Sequence, residues 1–290
     1  MKKIGKLVIF GVGLIGGSFA LALKKQKQVA RVVGVGRSRA NLLAARRLGI
    51  IDEIATDIAA AMRDADLVLL AVPPGQMAAV LAQLAPHLGP RTVVTDAGST
   101  KQDVIAAARK YLGSNFERFV PAHPIAGTEH SGARAAFAGL FKGHNLIVTP
   151  TAETAARALR KVTGLWKRCG MRVVTMSAAE HDRVFALVSH LPHVLAFALV
   201  GQIAKAADAA ALFRHSGGGF RDVSRIAASS PEMWRDIALA NRAALLAALD
   251  AYVGEITVLR DMIAREDGQG LAAKFALART AHRKWLPQKK

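Results

Sequence analysis

The stretch Leu7-Val8-Ile9-Phe10-Gly11-Val12-Gly13-Leu14-Ile15-Gly16 decides the fold. Its apolar first half reads as a buried parallel strand. The glycines at 11, 13 and 16 then fall where a tight turn opens into a helix. Gly11 permits the turn, Gly13 lets the backbone approach a pyrophosphate, and Gly16 lets helix and strand pack closely. Leu14 and Ile15 lie at the helix start, where free N–H groups and a partial positive charge favour a phosphate. The glycine pattern alone is weak evidence, but between a strand and a helix it predicts a dinucleotide site.

The same alternation continues outward. Residues 32–35, 67–72 and 92–95 read as further buried strands, and residues 18–25, 40–48, 58–63 and 77–84 as helices. Strands alternating with helices predict an α/β Rossmann-like, doubly wound parallel sheet. A short strand is expected at 118–120, and two more at 145–149 and 172–175 flank a helix at 153–168. After Met176 no strand pattern remains. Residues 177–205 read as one long helix that Pro192 should kink, because proline removes an intrahelical hydrogen bond. Later helices are expected at 231–249, 250–265 and 270–285, with Ser230 capping Pro231. Gly217-Gly218-Gly219 reads as a tight loop, and the tail 288–290 as frayed. The predicted organisation is a dinucleotide-binding domain at 1–176 and an all-α domain at 177–290.

Composition narrows the function. A chain of 290 residues with 52% hydrophobic content can bury a large core and is not a disordered chain. The net charge of +19 reads either as a soluble basic enzyme or as a field that draws in anionic small molecules. Nucleic acid is not expected as a partner, because basic residues form no long run and do not interleave with aromatics. Cys169 is the only cysteine, which excludes an intrachain disulfide and reads as structural. Met1-Lys2-Lys3 and the uncharged run at 7–23 imitate a signal peptide, but the glycine spacing favours the nucleotide turn. The best remaining membrane-length stretch, 193–213, is interrupted by Gln202, Lys205 and Asp208. A cytoplasmic protein with no membrane association is therefore expected.

Which dinucleotide binds is read from the end of the second strand. An NAD enzyme usually carries an acidic residue there. This chain has Gly36-Arg37-Ser38-Arg39, with no carboxylate to repel a 2′-phosphate and two guanidiniums to hold one. NADP is the expected cofactor, with NAD as the alternative. Ligands of such sheets bind beyond the carboxyl ends of the strands, which brings in Val72-Pro73 and Ser99. Ser99 either reaches the nicotinamide or substrate, or caps the helix starting near Thr100. His123-Pro124-Ile125-Ala126-Gly127-Thr128-Glu129 places a histidine in an expected loop, with Thr128 and Glu129 close by. In Ser189-His190-Leu191-Pro192-His193 the histidine pair lacks a third ligand, so no metal is expected. Arg221 and Arg225 are either a solvated pair or a carboxylate clamp.

These motifs, in this order, resemble those of the prephenate/arogenate (cyclohexadienyl) dehydrogenase family of tyrosine biosynthesis. The likeness rests on residues 123–129, 189–193, 217–222 with Arg225, and Pro231-Glu232-Met233-Trp234. It implies a Rossmann-like domain and a helical domain that forms a homodimer. It also implies NAD(P)-dependent oxidative decarboxylation of prephenate to 4-hydroxyphenylpyruvate, or of arogenate to tyrosine. By resemblance His123 hydrogen-bonds the ring C4 hydroxyl, Ser99 helps hold it, and Arg225 binds a substrate carboxylate. His193 and Trp234 line the pocket, and Glu129 and Asp222 match gating positions. Arg221 stands where some members carry lysine. Two other readings share the glycine turn: a β-hydroxyacid dehydrogenase or imino-acid reductase, and a non-catalytic nucleotide sensor. Neither accounts for the histidine motifs.

Overall fold

Strand β1 (Ile4–Phe10) is central because both of its faces are apolar. Leu7 and Ile9 enter one hydrophobic cluster, Val8 and Phe10 the other, and all four are buried. A computed structural model describes residues 3–55, 57–128 and 130–286. Within them β1 pairs in parallel with β2 (Val29–Val35) and later with β4 (Leu67–Leu70). With β3 (Glu53–Ile54), β5 (Val93–Asp96) and β6 (Phe119–Val120) they form a six-stranded parallel sheet, ordered β3-β2-β1-β4-β5-β6. This is the doubly wound sheet that the sequence predicts. The order reverses beside β1, so its carboxyl end is a topological switch point.

Helices α1 (Leu14–Lys25), α2 (Arg39–Arg47), α3 (Ile58–Met62), α4 (Pro74–Leu84) and α5 (Gln102–Leu112) connect the strands. Local chemistry sets their starts. Ser38 and Asp57 cap α2 and α3 through side-chain hydrogen bonds, and Pro74 begins α4. Helix α1 begins at Leu14, earlier than the expected residue 18, so Gly16 lies inside it.

A second sheet follows, which the sequence reading did not foresee. Strand β7 (Ala122–Pro124) runs antiparallel to β8 (Asn145–Val148), which runs parallel to β9 (Arg172–Thr175). Helix α6 (Ala156–Arg168) joins β8 to β9 and buries Trp166 against Phe19 and Phe141. His123 therefore belongs to a strand opposite Ile147, not to the expected loop. Cys169 is buried, and burial pushes its thiol up to about 12, consistent with an inert side chain.

The remainder is helical. The long helix expected at 177–205 forms as α7 (Ala178–Phe185), a π turn at Ala186–His190, and α8 (Leu191–Ala204). The π turn ends two residues before Pro192, the residue that cannot donate to the helical ladder. By length and hydropathy Ala178–Ala204 is also sufficient to cross a membrane, yet it carries the buried polar residues His181, Asp182 and His190. Helix α9 (Ala209–Arg214) was not expected, and Gly218, read as part of a loop, opens α10 (Gly218–Ser224). The expected helix at 231–249 is two. Helix α11 (Pro231–Ala240) stops at Asn241, and α12 (Arg242–Ala264) continues without the expected break near 250. Asn241 turns inward and donates to the Asp182 carbonyl, a long-range contact that the apolar pattern does not reveal. Helix α13 (Gly268–Trp285) is last, and the tail 288–290 lies outside the described residues.

The chain forms two compact units, Met1–Arg242 and Ala243–Lys290. In the second, Lys274 reaches Glu255 at 2.5 Å, while Leu246, Val253, Ile263, Phe275 and Leu277 are exposed.

Candidate active site

The glycine turn has the tight turn at Gly11 and the close packing at Gly16 that its spacing predicts, and open space at Gly13. Gly11 has φ +89°, and a Cβ there would lie 2.2 Å from the Ala71 carbonyl oxygen. A Cβ at Gly16 would lie 2.4 Å from the Gly11 carbonyl oxygen, so helix and turn touch there. At Gly13 a Cβ would meet nothing within 4 Å, which leaves the helix entrance open toward a ligand. Beyond it lies a cleft of about 440 Å³ lined by Gly11, Gly13, Arg37, Ser38, Val72 and Pro73, among others. Gln76 also lines the cleft, and its buried Nε2 has no protein partner. An open helix start, a close-packed turn and an unsatisfied donor together fit a dinucleotide. Leu14 and Ile15 pack inward rather than lining the cleft.

The basic segment after β2 differs from its expected form. Ser38 accepts from the Asn41 backbone N–H as the cap of α2. Arg39 is exposed and is not part of the cleft wall. The reading that no carboxylate stands near Arg37 needs correction. Glu232, 195 positions away on α11, accepts from the Arg37 guanidinium at 3.3 Å. Both side chains are exposed, so this pair contributes little to stability.

The polar cluster beyond the sheet begins at the end of β5. Asp96 and Lys101 form a fully buried ion pair. Lys101 Nζ also donates to the Ala122 carbonyl at 2.9 Å, and Asp96 accepts from the Ala122 N–H at 2.9 Å. The pair thus clamps the strand that carries His123. Asp182 reaches in from α7 and accepts from the backbone N–H groups of Lys101 at 2.8 Å and Gln102 at 2.9 Å. It satisfies the start of α5, whose capping residue Lys101 makes no side-chain cap. The capping role considered for Ser99 therefore falls to Asp182.

His123 Nδ1 lies 2.8 Å from His181 Nε2, and His181 Nδ1 lies 2.8 Å from Asp182 Oδ1. Phe185 packs on both imidazoles, with centroids 4.9 Å from His123 and 4.5 Å from His181. Burial, then the neighbouring His181 and Lys101, holds the His123 pKa well below its ordinary value. Burial also lowers His181, partly offset by its hydrogen bond to Asp182. For Asp182 burial acts upward, but hydrogen bonds from His181, Gln102 and Lys101 prevail and keep it ionised. Both histidines are neutral at pH 7, beside a carboxylate.

His190 is buried next door. Asn241 Nδ2 donates to its Nδ1 at 3.1 Å, and burial lowers its pKa to about 4. A hydrogen bond to the Ser99 backbone ties it to the β5–α5 turn. His193 stacks on Trp234 with centroids 3.6 Å apart and planes 18° apart. Its Nδ1 donates to the Ser189 carbonyl at 2.9 Å, which leaves Nε2 as an acceptor. Burial lowers the His193 pKa, and Arg225 is close enough to lower it further. Trp234 Nε1 is buried without a protein partner. Arg221, Arg225 and Asp222 are exposed. Thr128 is exposed too, its hydroxyl accepting from the His130 N–H at 3.3 Å, and Glu129 lies outside the described residues. Among the described residues no group of three His, Cys, Asp or Glu is arranged to hold a metal.

The structure thus links His123 through His181 and Asp182 to the start of α5, ties the Ser99 backbone to His190, and sets His193 beside Trp234 and Arg225. Sequence reasoning missed His181, Asp182, Asn241 and Glu232. The adjacent polar residues Glu180-His181-Asp182, just before apolar Val184-Phe185, were the available signal for the first two.

Residues 19–175 match the family model described as prephenate dehydrogenase, nucleotide-binding domain, and residues 177–277 match prephenate dehydrogenase, dimerization domain. The chain belongs to the prephenate dehydrogenase family. It is 41% identical over 277 residues to a cyclohexadienyl dehydrogenase of Zymomonas mobilis, covering 95% of this chain and 94% of that one. It is also similar to the prephenate dehydrogenase of Aquifex aeolicus solved with hydroxyphenyl propionate and NAD+. That match has a TM-score of 0.90 and 36% identity, and covers 97% of this chain and 98% of the other. The arogenate dehydrogenase of Synechocystis gives a TM-score of 0.78 at 28% identity, over 97% of this chain and 99% of that one.

Proposed function

We propose that this protein catalyses the NAD(P)-dependent oxidative decarboxylation of prephenate, arogenate or both, in tyrosine biosynthesis. The observation that carries this reading is the neutral His123, held by its own strand pairing and by His181 beyond the carboxyl end of the parallel sheet. In a family member, a hydroxyl-accepting imidazole there suits a ring that must lose hydride from C4 and CO2 from C1.

The fit of the glycine turn and the orphaned Gln76 supports a nicotinamide dinucleotide along Gly11, Gly13, Val72 and Pro73. When bound, that cofactor supplies the acceptor for the C4 hydride. His123 accepts a hydrogen bond from the C4 hydroxyl, and the bond strengthens as that oxygen becomes positive. When the C1 carboxylate departs as CO2, its bonding pair completes the aromatic ring and the hydrogen stays on the phenol oxygen. A positioned base of this kind contributes about 10²–10⁴-fold. Ser99 assists at the hydroxyl, and Arg225 takes a substrate carboxylate through its charged fork. His193, Trp234, Arg221 and Thr128 line the approach, and Glu129 belongs to the same segment.

NADP is the proposed preferred partner, with Arg37 leaving Glu232 to hold the 2′-phosphate. The division at 176/177 into nucleotide-binding and substrate-binding parts follows the two family regions. We also propose a homodimer formed through the helical part, because α12 and α13 leave large apolar side chains uncovered. A cytoplasmic location is supported by the signal-like N-terminal run being the central strand and first helix. Steady-state turnover of prephenate and arogenate, each with NAD and NADP, tests the reading. Absence of turnover in all four combinations overturns it.

A further inference from the structure

We propose that His181 and Asp182 are positioning residues that fix the proton of His123 on Nδ1, so that its Nε2 meets the substrate as a bare acceptor. This rests on the reading of His123 as the group that receives the C4 hydroxyl.

The Asp182 carboxylate is ionised and can only accept, so the 2.8 Å contact to His181 Nδ1 requires an N–H on that nitrogen. A neutral imidazole carries one N–H, so His181 Nε2 is a lone pair. The 2.8 Å contact from His123 Nδ1 to that lone pair therefore requires the N–H of His123 on Nδ1. His123 Nε2 is then a lone pair as well. The opposite tautomer of His123 would set two lone pairs against each other in a buried site, which is unfavourable.

A purely structural role accounts for less of this geometry. Capping α5 uses the Asp182 carboxylate alone, through Lys101 N and Gln102 N. It does not need an imidazole between Asp182 and His123, nor both nitrogens of that imidazole to be engaged. Asp182 is anchored by two backbone donors, so it presents a fixed acceptor. Phe185 restrains both ring planes. The clamp of Lys101 and Asp96 on Ala122 holds the backbone beside His123. The His123 ring is thus held by His181 and Phe185 of α7, and its backbone by Asp96 and Lys101 at the β5–α5 turn.

The test uses the full-length enzyme with His181→Phe and His181→Gln, because changing Asp182 would also uncap α5. His181→Phe keeps an aromatic ring but removes the acceptor. It should lower kcat about 10- to 100-fold, the range for leaving one buried donor unpaired, with substrate KM and cofactor Kd unchanged. His181→Gln offers a carbonyl to the His123 N–H and should recover part of that loss. In parallel, ¹⁵N spectra of histidine-labelled wild type, assigned against His123→Asn, should give His123 a protonated Nδ1 and a bare Nε2. In His181→Phe the two tautomers should mix. A wild-type His123 protonated on Nε2, an unchanged kcat in His181→Phe, or a defect confined to KM overturns the proposal. If His181→Phe does not fold, the wild-type spectrum decides. That spectrum needs no substrate, so a failure to turn over prephenate or arogenate would defeat the functional reading without being mistaken for failure here.

Discussion

Lowering the pH from 7 to 4 should destabilise this protein through His190. The ring is buried, its Nδ1 accepts from Asn241, and its pKa is lowered from 6.5 to about 4, chiefly by burial. The unfolded chain binds a proton at His190 below pH 6.5 that the folded chain does not yet bind. Stability is therefore full above pH 6.5, falls as the pH drops through the window from 6.5 to about 4, and levels off below it. At about 1.36 kcal/mol per unit, this one side chain removes about 2 kcal/mol by pH 5 and about 3 kcal/mol by pH 4. The assay is urea unfolding of wild type and His190→Gln at a fixed protein concentration across that range. His190→Gln starts less stable at pH 7 because it disturbs the contacts to Asn241 and the Ser99 backbone. Its stability should then fall less steeply with acid, so the two curves converge. His181 titrates in both proteins and largely cancels from the difference. Parallel curves would mean that His190 is protonated as readily folded as unfolded, and would refute the reasoning.

Three further outcomes are expected. His123→Asn should lower kcat by about 10²–10⁴-fold and leave cofactor affinity unchanged, as measured by steady-state kinetics and fluorescence titration. Arg225→Ala should raise the substrate KM more than about tenfold, the worth of one charge-assisted hydrogen bond, without altering cofactor KM. If KM holds, the clamp passes to Arg221. Glu232→Gln should raise the NADP-to-NAD ratio of kcat/KM by releasing Arg37, and Arg37→Ala should lower it. Equal ratios in all three proteins would return Arg37 to the role of a solvated turn residue.

The first half of the fold was legible because its information is local. Gly11, Gly13 and Gly16 act within one turn, and each buried strand of the parallel sheet announces itself as an apolar run. The second sheet was not legible as a sheet, since β7 pairs with β8 across twenty intervening residues and its three residues carry no alternation of their own. The order of the motifs pointed to His123, Arg225, His193 and Trp234, but not to their supports. His181 and Asp182 look like ordinary polar residues near a helix start, and only the tertiary fold turns them toward β7 and α5. Asn241 hides within an alanine-rich run that looks uninterrupted. Glu232 meets Arg37 from 195 positions away, so inspection of the β2 turn alone misses the carboxylate.

Asp182 has one more consequence, for how this chain can be divided. Its carboxylate is held in common by the start of α5, which belongs to the nucleotide-binding region, and by a histidine on α7, which belongs to the next. A fragment ending at Met176 would lose the acceptor for two backbone N–H groups and the partner of His123 in one cut. The family boundary is therefore a seam in the sequence but not in the hydrogen bonding. Chimaeras joined there inherit compatible pieces only when the donor of α7 supplies the Asp182 carboxylate and the His181 ring together, so those two positions and the turn at 96–102 form one unit of exchange.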